Sequence, residues 1–316
     1  MVLDLRRLRL LHELHRRGTV SAVAEALSYS PSTVSQQLGV LQREAGTTLF
    51  EPAGRRVRLT DAALVLAEHA ERLLAAAERA EADLAEAAAG AVAGVVRVGS
   101  FQTASLHLLL PAMSALRERY PDVEVKHFEA ESAPALEALR SHALDLVIAD
   151  EWTGTPQSRR PTLDREDLFA EPVLLALPAS HPQAAHGGPV ELATLRDADW
   201  VTGDERGGMA SLVRRVCATQ GGFEPIVRHH TNELSMLLSL IAGGHAVTML
   251  PGLAFAGGSE GVAVRPVEGL ELDRTVFVAV RAGAGHRPAL AAVRAALREA
   301  ATADSPSSRR ALSGSS

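Results

Sequence analysis

Leu5, Leu8, Leu11 and Leu14 recur every third residue until Gly18, which predicts a first helix with one buried face. A second, short helix is expected over Ser21–Leu27, where Ala22, Val23, Ala26 and Leu27 are apolar, followed by a tight turn at Ser28-Tyr29. Ser30 as N-cap and Pro31 at the first helical position start a third helix that runs to about Ala45. Its Val34, Leu38 and Leu41 face a core, and the opposite stripe carries Ser32, Gln36, Gly39 and Arg43. Beyond Gly46, Leu49-Phe50, Glu51-Pro52-Ala53-Gly54 and Arg55–Leu59 read as a hairpin with Val57 and Leu59 inward and Arg56 and Arg58 outward.

Thr60 caps a helix free of Gly and Pro from Asp61 to Ala89. Ala63, Leu66, Ala70, Leu73, Ala77, Ala80, Leu84, Ala87 and Ala91 alternate spacings of three and four, a heptad seam with the charged residues, Glu78 among them, outside it. Little else of the chain is expected beside so long a helix, so the seam predicts pairing with a second copy. From Gly94 the periodicity changes. Val95–Gly99, a helix over Thr103–Tyr120, Val123–Phe128, a helix over Leu136–Arg140 and Leu144–Ala149 give a β-α-β-α-β order and a parallel, doubly wound sheet. A second lobe is expected to open near Glu166, with strands Phe169–Leu177, Trp200–Thr202, Ile226–His229 and Ala246–Leu250 and helices around Ser211–Thr219 and Glu233–Ala242. The chain then returns through Val262–Val267 to strand Thr275–Arg281 and helix Pro288–Ala300.

These elements divide the chain into a winged helix-turn-helix at 1–60, a linker helix at 61–92, a two-lobed α/β domain at 93–301 and a disordered tail at 302–316. Lobe I takes 93–165 and 267–301, and lobe II takes 166–266.

Charge sharpens the picture at the N-terminus. Net charge is −6 overall, yet residues 1–60 hold nine arginines against five acids, so a basic module sits on an acidic body. Phosphate attraction rewards that arrangement, and the short hydrogen-bonding stripe of the third helix suits a major groove. A small helical bundle with a solvated face is the competing explanation for the three helices alone.

A single cysteine, Cys217, leaves no disulfide within the chain and fits a reducing cytoplasm. A two-cysteine redox switch would have to form between chains. The Leu/Arg alternation of residues 1–9 is no secretion signal, and no apolar run is long enough to span a membrane. No G-x-S-x-G, P-loop, H-E-x-x-H or paired C-x-x-C occurs, so no enzyme, cofactor or metal is expected. Gly283-Ala284-Gly285 reads as a loop, His12 and His15 lack a third ligand, and His229-His230 reads as a surface pair.

The run GTVSAVAEALSYSPSTVSQQLGVLQREAGTTLFEPAGRRVRLT resembles the winged helix-turn-helix of LysR-type transcriptional regulators. LLLPAMSALRERYPDVEV, ALEALRSHALDLVIAD, VLLALPASHP and GGHAVTMLPG are similar to that family's effector-binding domain, itself like periplasmic solute-binding proteins. The resemblance covers roughly residues 4–300. Gln36 stands where the family often has Arg, Gly39-Val40 replaces a basic pair, and Ala143 stands where the family commonly has Gly. The resemblance implies a regulator that binds double-stranded DNA and a small-molecule effector, with the linker as the dimer helix of a homodimer or homotetramer. RNA polymerase is a further candidate partner.

The expected DNA-facing residues are Ser30, Ser32, Thr33, Ser35, Gln36, Gln37, Gly39 and Arg43, with Arg55, Arg56 and Arg58 on the wing. Leu66, Ala70, Leu73, Ala77, Ala80 and Leu84 are the expected dimer contacts. Effector contacts are expected where strand ends meet helix N-termini: Ser100, Gln102, Thr103, Asp150, Thr202, Thr231, Asn232 and Met249. Free N–H groups there suit an anion, whereas Asp150 and Glu151 suit an amine, and the sequence leaves both open. A solute-binding or enzymatic clamshell with a non-DNA-binding extension, and a regulator that needs no small molecule, are the competing readings.

Overall fold

The computed structural model describes all residues except 1–2, 54–55, 89–91, 156–161, 186, 206 and 304–316. Of the expected tail at 302–316, Thr302 and Ala303 instead end the last helix, because its hydrogen-bonded turns continue to Ala303, and residues 304–316 lie outside the described residues.

Asp4 accepts the N–H groups of Arg6 and Arg7 and so starts α1 (Leu5–Arg17), which Gly18 closes in a left-handed conformation. α2 (Val20–Ala26) is capped by Thr19, and a left-handed Ser28 turns the chain. Ser30 Oγ then accepts the Thr33 N–H at 3.1 Å and opens α3 (Pro31–Ala45). β1 (Phe50–Ala53) and β2 (Arg56–Leu59) form the wing, with Glu51 opposite Arg58. Gln42 Oε1 accepts the N–H groups of Leu49 and Phe50 at 2.9 and 3.1 Å, which fixes where the wing leaves α3.

α4 (Asp61–Ala88) follows, and here the structure corrects the seam. Ala63, Ala67 and Ala70 are fully buried with Leu8, Leu11, Leu14, Val34, Leu38 and Leu41, in the winged domain's own core, and Leu66 packs against it. Only farther along do Leu73 and Leu84 stand 44% and 70% exposed. The expectation that α4 has little of its own chain beside it therefore fails for its first half, because α1 lies along it.

Lobe I is built from β3 (Gly94–Ser100), a helix wound as α5 (Gln102–Ala104), a π turn over Ser105–Leu109 and α6 (Leu110–Arg119), then β4 (Val123–Glu129), α7 (Ser132–Arg140) and β5 (Leu146–Trp152). β3 pairs in parallel with both β4 and β5. β6 (Leu163–Pro178) departs from expectation by serving both lobes. Its first ten residues pair with the last strand of lobe I, and Val173–Pro178 pair with strands of lobe II. The lobes therefore part near Pro172, not near Glu166, whose carboxylate is held by Arg294 and Arg298 of the terminal helix.

Lobe II contains β7 (Asp199–Thr202), α8 (Gly208–Val216), β8 (Ile226–His230), α9 (Leu234–Ala242), β9 (Thr248–Pro251) and β10 (Val262–Arg265). Val267 and Leu272 belong to its core, so residues 267–272 stay with lobe II and the chain crosses back only at Asp273. β11 (Asp273–Arg281) lies antiparallel between β5 and β6, and α10 (Pro288–Ala303) completes lobe I.

The winged domain and α4 rest on lobe I. Gly283 has φ +86°, and a Cβ there would lie 2.8 Å from the Ala75 carbonyl of α4, so the expected loop glycine is the seat of the linker helix. Beside it Glu78, expected outside the seam in solvent, is buried and accepts hydrogen bonds from Arg281 Nε and His142 Nδ1, both at 2.9 Å. Burial pushes the Glu78 carboxyl up, but the His142 hydrogen bond and the Arg281 charge outweigh it and bring the carboxyl down to about 2, against 4.5 ordinarily.

Glu78→Gln is expected to destabilise the protein by about 2 kcal/mol at pH 7, allowing for partial solvent screening. The native contribution is complete above pH 4.5 and is lost as pH falls toward 2, so the gap between the two proteins in scanning calorimetry narrows with acidification. A gap that stays constant from pH 7 to pH 3 contradicts the assignment.

Candidate nucleic-acid interface and ligand cleft

The α3 stripe stands clear of the rest of the chain. Ser30, Ser32, Thr33, Ser35, Gln36 and Arg43 are exposed, and Gly39 is half-buried with no neighbour nearer its absent Cβ than Arg43 at 3.9 Å. Ser30 Oγ lies 2.8 Å from the hydroxyls of both Ser32 and Thr33, so it organises the N-terminus as well as capping it. Gln37 departs from expectation: its Oε1 accepts from Arg7 Nη1 at 3.3 Å, and Arg7 in turn holds Glu44, which ties this side chain to α1. On the wing, the exposed Arg58 pairs with Glu51 across the hairpin. Arg55 and the side chain of Arg56 lie outside the described residues.

Between the lobes lies a cleft of two chambers sharing Glu131, Asp150, Trp152, Met209 and Asn232. The larger has a volume of about 570 Å³ and the inner one about 80 Å³. Gln102, Thr103, Asp150, Thr231 and Asn232 line it as expected. Gln102 reaches across it, with Oε1 accepting the Leu234 N–H at 2.8 Å and Nε2 donating to Glu233 at 3.4 Å. Asn232 Oδ1 accepts the Asp204 N–H at 3.0 Å, and an added Cβ at Gly203 would strike that oxygen.

Ser100, Thr202 and Met249 do not face the cleft. Ser100 is buried against Ser105 and His127, Thr202 contacts His230, and Met249 is in the lobe II core. In each case the next residue, Phe101, Gly203 or Leu250, is the one in the lining. Strand side chains alternate faces, so placing the strand's exit one residue early selects the wrong face.

The chemistry at the base of the cleft centres on Arg274, which no motif singled out. It is 4% exposed along its side chain and donates from Nε and Nη2 to Glu171 Oε1 at 3.0 and 2.5 Å, and from Nη2 to Thr103 Oγ1 at 3.1 Å. Its guanidinium lies 4.8 Å from the Phe101 ring centroid and 5.6 Å from that of Trp152, distances at which a cation interacts with a π face. Glu171 also accepts the Leu253 N–H at 2.6 Å. Asp150 accepts from Ser132 Oγ at 2.6 Å and Trp152 Nε1 at 3.0 Å and lies 3.6 Å from Arg274 Nη1. Burial and the nearby Asp150 charge raise the Glu131 carboxyl above its ordinary range. Trp152 follows Asp150 on the same strand face, a period-two signal that the sequence offered; the two residues that meet from β6 and β11 offered none.

Cys217 is buried, and burial pushes its thiol up to about 12, so it stays protonated and a poor nucleophile. Among the described residues no cluster of His, Cys, Asp or Glu could hold a metal ion, and no helix is long and apolar enough to cross a membrane.

A basic winged helix-turn-helix joined by a long helix to a hinged two-lobed α/β cleft defines a ligand-responsive transcriptional regulator. Residues 5–64 match the family described as bacterial regulatory helix-turn-helix protein, lysR family, and residues 89–302 match the LysR substrate binding domain. The chain belongs to the LysR family of DNA-binding transcriptional regulators.

It is 30% identical over 278 residues to the transcriptional dual regulator GltC of Bacillus subtilis, covering 87% of this chain and 90% of that one. It is 28% identical over 284 residues to a probable hydrogen peroxide-inducible genes activator of Streptomyces viridosporus, covering 88% of each. Among solved structures, full-length OxyR from Pseudomonas aeruginosa superposes with a TM-score of 0.61 at 23% identity, over 94% of this chain and 95% of that one. CbnR complexed with its target DNA gives 0.52 at 23% identity, over 94% of this chain and all of that one. These likenesses show a shared fold.

Arg274→Met leaves the Glu171 and Asp150 carboxylates buried without their cation and is expected to cost about 3–5 kcal/mol in urea denaturation. Adding Glu171→Leu should recover part of that loss, and a double variant as unstable as the sum of the singles argues against the pair.

Proposed function

We propose that α3 enters the major groove of an operator with Ser32, Gln36, Gly39 and Arg43 toward the bases and phosphates, that Ser30, Thr33 and Ser35 meet the backbone at the helix N-terminus, and that Arg55, Arg56 and Arg58 follow the adjacent phosphates. The observation that carries this is the polar α3 stripe, which stays exposed while the same helix's apolar stripe is buried. Gln36 is the one side chain on it with the amide geometry to bond adenine bidentately. Gln37 is not among the base readers, because Arg7 holds it.

A small-molecule effector occupies the interlobe cleft, touched by Gln102, Thr103, Asp150, Thr231 and Asn232 together with Glu131, Trp152 and Met209. The cleft's volume and its position at the two strand crossings support this reading. The buried, protonated Cys217 argues against extending the peroxide response named for some relatives to this chain.

Dimerisation uses the outer part of α4. Leu73, Ala80 and Leu84 remain exposed along one side, whereas Leu66 and Ala70 serve the winged domain's core. The regulator works in the cytoplasm on double-stranded DNA as a homodimer or homotetramer, with RNA polymerase as a candidate partner.

Against a duplex selected by the wild-type protein from a random library, Gln36→Ala is expected to weaken binding by about 1–3 kcal/mol and relax preference at one base position. Arg43→Ala should weaken binding evenly across sequences and lower the salt slope by about one. Unchanged binding by both variants, measured by fluorescence anisotropy at two ionic strengths, contradicts the interface. Leu73→Glu with Leu84→Glu is expected to shift the protein to the monomer in sedimentation, and an unchanged mass places the interface elsewhere.

A further inference from the structure

α7 is nine residues long, about 13 Å at ~1.5 Å per residue, and its two ends touch the two functional parts of the molecule. At its N-terminus, Glu131, Ser132, Ala133 and Pro134 line the larger chamber of the cleft. Ser132 is tied there twice to Asp150, its hydroxyl donating to Oδ1 at 2.6 Å and accepting the Asp150 N–H at 2.9 Å.

At its other end, the Glu137 carboxylate receives two arginines of α1 in the winged domain. Arg16 Nη2 donates at 3.0 Å and Arg17 Nη2 donates to the other oxygen. Arg140, one turn along α7, closes on Glu137 at 2.5 Å. The same two arginines of α1 are held from below by Glu13, which is 1% exposed and accepts from Arg16 Nη1 at 3.2 Å and Arg17 Nε at 2.6 Å. Burial pushes the Glu137 carboxyl up, but Arg140, Arg16 and Arg17 outweigh it and hold it below its ordinary range, so it is ionised at neutral pH. The turn after α7 adds a second attachment, to α4, where His142 Nδ1 donates to Glu78 at 2.9 Å.

We propose that α7 is a rigid lever: it reports the state of the cleft to the DNA reader through the Glu137 latch on α1, and so sets the angle at which α3 is presented. The latch leaves the polar stripe of α3 uncovered, so it orients the reader without blocking it. Because α7 packs on β5 and β11 through Ala135, Leu136 and Leu139, a shift at its cleft end moves the whole helix and not a loop. Glu137 is a positioning residue here. The lever rests on the proposed effector cleft for its physiological trigger, but the coupling itself needs no ligand to be seen.

Spin labels at Glu25→Cys on α2 and Glu118→Cys on α6, in full-length protein with Cys217→Ala, read the reader-to-lobe distance by pulsed dipolar spectroscopy. Dilution with unlabelled protein restricts the signal to pairs within one chain. The latched protein should give one narrow distribution, and Glu137→Arg should broaden it by about two-fold or more, as released loops and domains do. Combining Glu137→Arg with Arg16→Glu, Arg17→Glu and Glu13→Gln, the last so that the buried position 13 offers amide donors to the two new carboxylates, should restore the narrow form, which a merely misfolded variant would not. Ser132→Ala, at the cleft end, should also shift or broaden the distribution, and should add nothing when Glu137→Arg is already present.

A distribution that is equally narrow, or equally broad, with and without Glu137→Arg overturns the latch. A latch that responds while Ser132→Ala changes nothing overturns the lever. Neither result bears on whether an effector binds the cleft, which calorimetric titration of metabolites onto wild-type and Asn232→Ala protein decides separately.

Discussion

The two strands that carry the chain between lobes are held together at the crossing by one buried ion pair, Arg274 to Glu171, and most of the sensor's geometry follows from it. Two charges taken out of water cost several kcal/mol each unless every donor and acceptor is matched. Here the matching partners come from both sides: Thr103 and Asp150 from lobe I, and the Leu253 N–H from lobe II. Satisfying the pair therefore requires both lobes in place, and the cleft opens beside it with Phe101 and Trp152 against the guanidinium. A leucine-rich hinge would bury comparable area, but its packing would not demand one fixed set of neighbours.

Hydrophobic periodicity revealed the reader almost completely. α1, α3 and the wing fall within a residue or two of where their apolar spacing and caps put them, because short local signals decide them: Asp4, Thr19 and Ser30 at the starts, Gly18 and Gly46 at the ends. The sensor's element order was legible for the same reason. Its lobe boundaries were not, since β6 runs as one unbroken strand through Pro172: Leu168 and Phe169 pack on one core and Val173 lies in the other, and no turn or change of period marks the passage between them. Cleft residues at helix starts were found, whereas Ser100, Thr202 and Met249 missed by one position each. Alternation along a strand turns a one-residue error into the opposite face.

The linker shows how an apolar pattern can be read for the wrong partner. A three-four spacing of alanines and leucines announces an apolar stripe but does not name its partner. Ala63, Ala67 and Ala70 spend that stripe on α1, and Glu78, read as solvent-facing, is instead the ion that seats α4 on lobe I. Small residues suit the task, since they let two helix backbones come close, and the single-residue gap at Gly283 completes the fit on the other side. What separates the two uses is distance along the chain from the winged domain, which no local window contains.

The sharing of β6 has a consequence for how the sensor is assembled and inherited. A strand whose first ten residues complete one hydrophobic core and whose last six begin another gives neither half a finished edge when cut. Excising one lobe, or exchanging it with that of a homologue at the midpoint of the sequence, would leave an open row of backbone donors and acceptors on both fragments. The pair of lobes is thus a single heritable cassette, and recombination that swaps ligand specificity between such regulators has to break on the far sides of β3 and α10, moving the entire sensor intact.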